Sequence, residues 1–251
     1  IWAEITQPWD LVIIGGGITG AGIFREAVRL GLRTLLLEAR DFASGTSSRS
    51  SKMVHGGFRY LKNAQIKLTY ESVHERERLL SEARGLVNPL GFLITAHRGD
   101  STPGWMYGLG LLAYDLLVFK WGHRYYDASD LRELCPPLTN PGLSGGYRYF
   151  DAQTDDARLV LRLIREAVRE GGVALNYTPV TGLLRQSSGK VAGVVIEDRS
   201  PAPDGRPSGC TAEVQSSLVI NATGAWVDEL RQQQASRRRS GRGAGTPAQA
   251  H

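Results

Sequence analysis

The chain has 251 residues, 41% hydrophobic and 22% charged, the composition of an ordinary soluble protein that can bury a substantial core as one large domain or two modest ones. Its formal net charge of +5 is carried by Arg231, Arg237, Arg238, Arg239 and Arg242, so residues 1–230 are neutral overall and no nucleic-acid partner is expected. Cys135 and Cys210 form no C-x-x-C pair, which argues against a metal site or a disulfide framework and makes a reducing compartment the default.

No charged segment followed by an apolar core opens the chain, so no signal peptide is expected, and Trp2–Pro8 reads as a lead-in. Leu11–Ile14 is an apolar run of strand length. Gly15, Gly17 and Gly20 then fill G-x-G-x-x-G at the start of a helix over Ile18–Leu30, which should bury Ile18, Ala21, Gly22 and Val28 before Gly31 closes it. Thr34–Leu37 is the second strand, ending on Glu38. The three glycines suit a tight turn, a close approach to pyrophosphate and close helix–strand packing, and an acid at the strand end suits ribose hydroxyls. The unit therefore predicts dinucleotide binding at a helix N-terminus.

Between Thr46 and Ser51 lie four serines and one threonine, and Lys52, His55, Gly56, Gly57, Arg59 and Tyr60 follow. Directly behind the ribose-binding strand, this run reads as a ligand-facing loop rather than a merely solvated one. GGGITGAG followed by LLLEARDFASGTSSRSSKMVHGGFRYL resembles the N-terminal half of the FAD-dependent glycerol-3-phosphate dehydrogenases, members of the D-amino-acid-oxidase-like flavoproteins. The string TSS-x-SSK-x-x-HGG-x-RYL carries most of that resemblance. It implies FAD as cofactor, held by Gly15, Gly16, Gly17, Thr19, Gly20, Glu38, Thr46, Ser47, Ser51, Lys52, His55 and Gly57. It also implies glycerol 3-phosphate as substrate, quinone as electron acceptor and a peripheral membrane contact, with the protein cytoplasmic or at the inner membrane surface. Within the site, Arg59 suits the substrate phosphate, Tyr60 could add a hydroxyl, and His55 either moves a proton or packs structurally beside the flavin.

Lys62–Arg84 reads as a helix with Leu68, Val73, Leu79 and Leu80 offering apolar contacts and His74 on the surface. Asn88–Asp100 reads as a strand. Trp105–Trp121 is the most hydrophobic stretch, too short for a comfortable span of ~20 residues and interrupted by Asp115, which leaves a buried helix or an interfacial element. Leu134–Gly146 reads as loop and Tyr147–Asp151 as a strand. Asp155 could cap a helix over Asp156–Glu170, with Leu159, Leu163, Ala167 and Val168 on one face. The DAQTDDARLV segment before and within it is read as structural.

Val173–Tyr177 would be the third parallel strand, and Thr181–Arg185 with Val191–Glu197 a hairpin. Ser217–Ile220 leads into Asn221-Ala222-Thr223-Gly224, a turn that by the same resemblance lies against the cofactor through Ala222, Thr223 and Gly224, with Val180 near the adenine. Asn221-Ala222-Thr223 matches a glycosylation sequon, but a strand-end turn makes that use unexpected. RQQQASRRRSGRGAGTPAQAH has no large aliphatic or aromatic residue and is expected to be disordered, as a truncation or frameshift product or a natural linker.

The expected fold is α/β: a Rossmann-like FAD-binding domain with a β-meander plus part of an α+β substrate domain. The expected division is 1–85 and 151–230 for the FAD-binding domain, 86–150 for the partial substrate domain and 231–251 for the tail. The function expected is oxidation of sn-glycerol 3-phosphate to dihydroxyacetone phosphate. The alternatives are a non-catalytic FAD-binding fragment or an amine or hydroxy-acid oxidase of the same superfamily.

Overall fold

A computed structural model describes residues 5–57, 60, 65–118, 121–138, 142–201 and 209–228. The disorder expected of 231–251 therefore lies outside the described residues. The chain divides into two compact units, one of residues 1–50 with 156–251 and one of residues 51–155. The first opens with β1 (Trp9–Ile14), α1 (Ile18–Arg29), β2 (Thr34–Leu37) and a 3-10 turn at Thr46–Ser48. The second holds β3 (Met53–Val54), α2 (Ile66–Glu82), β4 (Val87–His97), α3 (Gly104–Val118), β5 (Arg124–Asp127), α4 (Ala128–Leu134) and β6 (Leu143–Thr154). The remaining elements, α5 (Asp156–Arg169), β7 (Val173–Leu175), β8 (Val180–Arg185), β9 (Val191–Glu197), β10 (Thr211–Asn221) and a 3-10 turn at Gly224–Trp226, belong to the first unit.

In the first unit the strands form one sheet in the order β7-β2-β1-β10-β9-β8. β7, β2, β1 and the second half of β10 run parallel, while the first half of β10 pairs antiparallel with β9, and β9 with β8. This is the expected parallel sheet with its meander. Successive side chains of a strand point to opposite faces, so Leu11, Ile13 and Leu36 pack under α1 and α5 while Val12, Ile14, Leu35 and Leu37 meet Val194, Ile196 and Val214 on the other face. Burial on both faces explains why β1 and β2 read as near-continuous apolar runs.

Two helix faces differ from expectation. α1 buries Gly20, Ala21, Phe24, Ala27 and Val28, whereas Ile18 is 44% exposed and Gly22 is only half-buried. α5 buries Val160, Ile164 and Ala167, with Leu163 partly covered, Leu159 half-buried and Val168 exposed. The stripe that meets α1 is therefore one position round from the expected one, because apolar residues surround α5 widely enough to allow two phases.

In the second unit β6 is central: β4 runs antiparallel along one edge, and β3 and β5 pair with different stretches of it. β6 begins at Leu143, inside the segment expected to be loop, and β5 and α4 were not expected. α4 starts because the Asp127 carboxylate accepts from the amides of Ser129 (2.8 Å) and Asp130 (2.9 Å), an N-cap that anchors Leu131 against Tyr126 and Leu143. Of the apolar residues expected on α2, Val73 is fully buried and Leu79 and Leu80 pack beside Ala83, Val87 and Ala152, but Leu68 is exposed. α3 buries Leu111, Tyr114 and Asp115 and exposes Trp105, Met106, Leu109 and Leu116, so it is covered on one side only. No described helix is long and apolar enough to cross a membrane.

Candidate cofactor and substrate site

A cleft of about 580 Å³ opens at the carboxyl ends of β1, β2 and β10, the place where open parallel sheets bind ligands. Its floor is the glycine bend. Gly15 has φ +112°, and a Cβ there would lie 2.6 Å from the Ala222 carbonyl oxygen, so only glycine allows β1 to turn beneath the 222–224 segment. A Cβ on Gly20 would lie 1.9 Å from the Gly15 carbonyl oxygen, which shows how closely α1 sits against the turn it follows.

α1 begins at Gly17, which has no side-chain cap, and its first turn holds no acid. One early amide, that of Ile18, donates to Ser47 Oγ at 2.9 Å. The helix end thus presents positive dipole to the cleft beside a hydroxyl from the Thr46–Ser48 turn, an arrangement that suits a pyrophosphate. At the end of β2, Glu38 Oε2 accepts from the Gly16 amide at 2.7 Å and Oε1 from the Arg40 amide at 2.8 Å. Each oxygen keeps a further lone pair, which ribose hydroxyls can use.

The cleft collects Gly15, Gly17, Thr19, Glu38, Thr46, Ser47, Val180, Ala222, Thr223 and Gly224 from the sequence-predicted set. Gly16 and Gly20 act from behind it, through the Glu38 contact and the helix packing. Asn221 Oδ1 accepts from the amide (3.1 Å) and hydroxyl (2.6 Å) of Thr223, which shapes the turn and employs the sequon asparagine structurally. The polar loop is tied down where Ser50 donates to Asp156 Oδ2 through its amide (3.1 Å) and hydroxyl (2.7 Å).

Sequence reasoning missed Arg40, Ser44, Gly45, Thr178 and Trp226, which also line the cleft. The Arg40 guanidinium lies 5.8 Å from the Trp226 ring centroid, and Trp226 rests on Gly45, where a Cβ would meet the ring at 2.9 Å. Arg40 sits two positions after the strand-end acid, a signal available in the sequence. Nothing local in the sequence pairs Gly45 with Trp226.

The other predicted residues belong to the second unit. Ser51 and Lys52 are exposed; Lys52 has φ +59°, and its carbonyl accepts from the Thr154 amide at 2.9 Å. His55 is exposed, whereas Gly56 and Gly57 are buried. Gly57 has φ +76°, and its carbonyl accepts from the Tyr60 amide at 2.7 Å, closing a turn that brings the His55 and Tyr60 rings edge to face with centroids 5.9 Å apart. Arg59 lies outside the described residues.

Beneath this turn is a buried polar group. Asp151 Oδ1 accepts from the Gly56 amide and from Arg76 Nη1, both at 2.7 Å, and Arg76 Nη1 lies 2.6 Å from the Tyr114 hydroxyl. Burial opposes the Arg76 charge, but Tyr114, Asp151 and Glu77 outweigh it and raise its pKa. Burial pushes the Tyr114 phenol up, although Arg76 pulls it down. Tyr114 is therefore neutral at pH 7, and Asp151 and Glu77 supply the countercharge to Arg76. Among the described residues no group of side chains could hold a metal ion.

The profile of the FAD dependent oxidoreductase family matches residues 10–245. The aerobic glycerol-3-phosphate dehydrogenase of Bacillus subtilis is 39% identical over 234 residues, covering 92% of this chain and 41% of that protein. That of Staphylococcus haemolyticus is 38% identical over 237 residues, with the same two shares. The chain thus spans about two fifths of the length of these relatives. The crystal structure of glycerol-3-phosphate dehydrogenase from Bacillus halodurans complexed with FAD superposes with a TM-score of 0.69 at 33% identity, covering 92% of this chain and 37% of that one. L-proline dehydrogenase from P. horikoshii, at TM-score 0.61 and 21% identity, shares the fold.

Proposed function

Because the chain belongs to the FAD dependent oxidoreductase family, we propose that it serves the oxidation of sn-glycerol 3-phosphate to dihydroxyacetone phosphate, with FAD in the glycine-floored cleft. The observation that carries the cofactor assignment is that an acid-free helix N-terminus at Gly17 and the Glu38 carboxylate line the same cleft. The relatives' names and the TSS-x-SSK-x-x-HGG-x-RYL string support the substrate.

Bound FAD supplies the acceptor for the hydride that leaves substrate C2. The chain's own residues do the rest. Gly17, Thr19 and Ser47 would hold the pyrophosphate against the start of α1, and Glu38 would fix the ribose. Trp226 and Arg40 wall the cleft. His55 would take the proton of the substrate C2 hydroxyl, Tyr60 would orient it, and Arg59 would bind the phosphate. Quinone is the proposed acceptor of the two electrons and two protons removed from the substrate. Support for peripheral attachment at the cytoplasmic face of the inner membrane comes from the half-exposed apolar side of α3, with Trp105, Met106, Leu109 and Leu116.

A non-catalytic FAD-binding fragment is the second reading. Anaerobic addition of glycerol 3-phosphate to the flavin-loaded chain separates the readings. Bleaching of the flavin band by this substrate and not by amino acids is the expected result. Bound flavin that never bleaches would favour the fragment, and bleaching by amino acids an oxidase of the same superfamily.

A further inference from the structure

The turn that carries His55 is held from below by side chains of three distant elements. The Gly56 amide donates to Asp151 Oδ1 at 2.7 Å, and that oxygen also accepts from Arg76 Nη1 at 2.7 Å. Arg76 comes from α2, Asp151 from β6 and Tyr114 from α3, and they are 5%, 4% and 3% exposed respectively. Arg76 is fixed further by the Phe150 carbonyl at 3.2 Å and by Glu77 at 2.8 Å. The fit leaves no slack, since a Cβ on Gly56 would lie 1.7 Å from the Tyr114 hydroxyl and 2.8 Å from Arg76 Nη1.

A buried ion pair is weak evidence for stability, because desolvating two charges offsets much of their attraction. An apolar trio of the same volume would pack here without that cost, but it would offer no acceptor to the Gly56 amide. The distinctive product of this cluster is a fixed conformation for residues 55–57.

We propose that Arg76 and Asp151 are positioning residues, which orient His55 for proton transfer by clamping the Gly56 amide and which do not themselves touch substrate. The inference rests on the reading of His55 as part of the site. Its structural half, the clamp, can be tested whether or not that reading holds.

The experiment uses the full 251-residue chain and three variants. Asp151→Asn keeps an oxygen to accept from Gly56, whereas the double variant Arg76→Met/Asp151→Leu removes the acceptor without leaving a lone buried charge. The third, Leu68→Ala, changes an exposed side chain of α2 and serves as a control. Hydrogen exchange is read at Gly56 and Gly57 alongside the thermal midpoint, and kcat and KM for glycerol 3-phosphate are read where the parent turns over. In the double variant, exchange at these two amides should accelerate by about tenfold or more, the loss of one charge-assisted bond, with the amides of α2 and β6 unaffected. kcat should fall by a similar factor at unchanged KM, while Asp151→Asn, which keeps the acceptor, and Leu68→Ala stay within about threefold of the parent. Unchanged exchange at Gly56 in the double variant overturns the clamp. Faster exchange with unchanged kcat overturns the positioning role. A parent with no turnover but with the exchange effect retains the clamp and removes the proposed function instead. If the double variant does not fold, Asp151→Ala against Asp151→Asn gives the same contrast, and equal exchange in the two contradicts the proposal.

Discussion

The Glu38 carboxylate accepts from the Gly16 amide at 2.7 Å, so the acid at the end of β2 is tied directly to the glycine bend at the end of β1. One side chain thereby ties the two strand ends together and, in the proposed function, meets the ribose. Glu38→Gln keeps the shape but replaces a charged acceptor by a neutral one at one position and a donor at the other. The expected cost is about 1.5–3 kcal/mol, or roughly 10- to 100-fold in the FAD dissociation constant. Fluorescence titration of the deflavinated protein measures it, and an unchanged constant removes Glu38 from the ribose site.

Gly20→Ala puts a methyl group where the Gly15 carbonyl oxygen already lies, 1.9 Å away, and both are backbone positions with little room to move. Separation of α1 from the bend should cost about 1–3 kcal/mol or more. The purified variant should carry less flavin and melt at a lower temperature than the parent. Gly22→Ala on the same helix, where an added Cβ meets nothing within 4 Å, should do neither.

How much of this could be read from the residues depended on how local the signal was. The β1–α1–β2 unit, the hairpin and the 222–224 turn were legible because glycine spacing and apolar runs define them within a few positions. α4 is seven residues long, and its only announcement is the Asp127 cap. The phase of α5 was ambiguous because several apolar stripes run along it, and contact with Phe24, Ala27 and Val28 of α1 selected one. The clamp on Gly56 joins residues 75 and 95 positions apart, and no local pattern reports such a pairing. Arg40 and Trp226 come from opposite ends of the first unit's chain, and the cleft they share exists only after folding.

Arg40→Ala should weaken FAD binding at low salt. The loss is about 1 kcal/mol for a cation stacked at the edge of a cleft, roughly fivefold in affinity. A partly exposed charge is screened by salt, so the difference between parent and variant should shrink as ionic strength rises. Dissociation constants at two salt concentrations test this, and a difference independent of salt would point to packing against Trp226 rather than charge.

Tyr114 predicts an alkaline limit to stability. Burial holds its phenol above the ordinary value of 10.0, so the folded chain keeps this proton to higher pH than the unfolded chain. The associated stabilisation is fully present below pH about 10 and is lost as pH rises through the folded-state value. Absorbance titration of tyrosinate, parent against Tyr114→Phe, should show one phenol that ionises last, together with unfolding. Ionisation of every tyrosine before unfolding begins would contradict the burial argument.

In the proposed function the cleft at the ends of β1, β2 and β10 recognises the adenosine-diphosphate half of FAD. Calorimetric titration of FAD into the deflavinated chain, repeated in excess adenosine diphosphate, tests it directly. One saturable site per chain is expected, with binding competed away by adenosine diphosphate and weakened in Glu38→Gln. Absence of saturable binding, or binding that adenosine diphosphate leaves untouched, would contradict it.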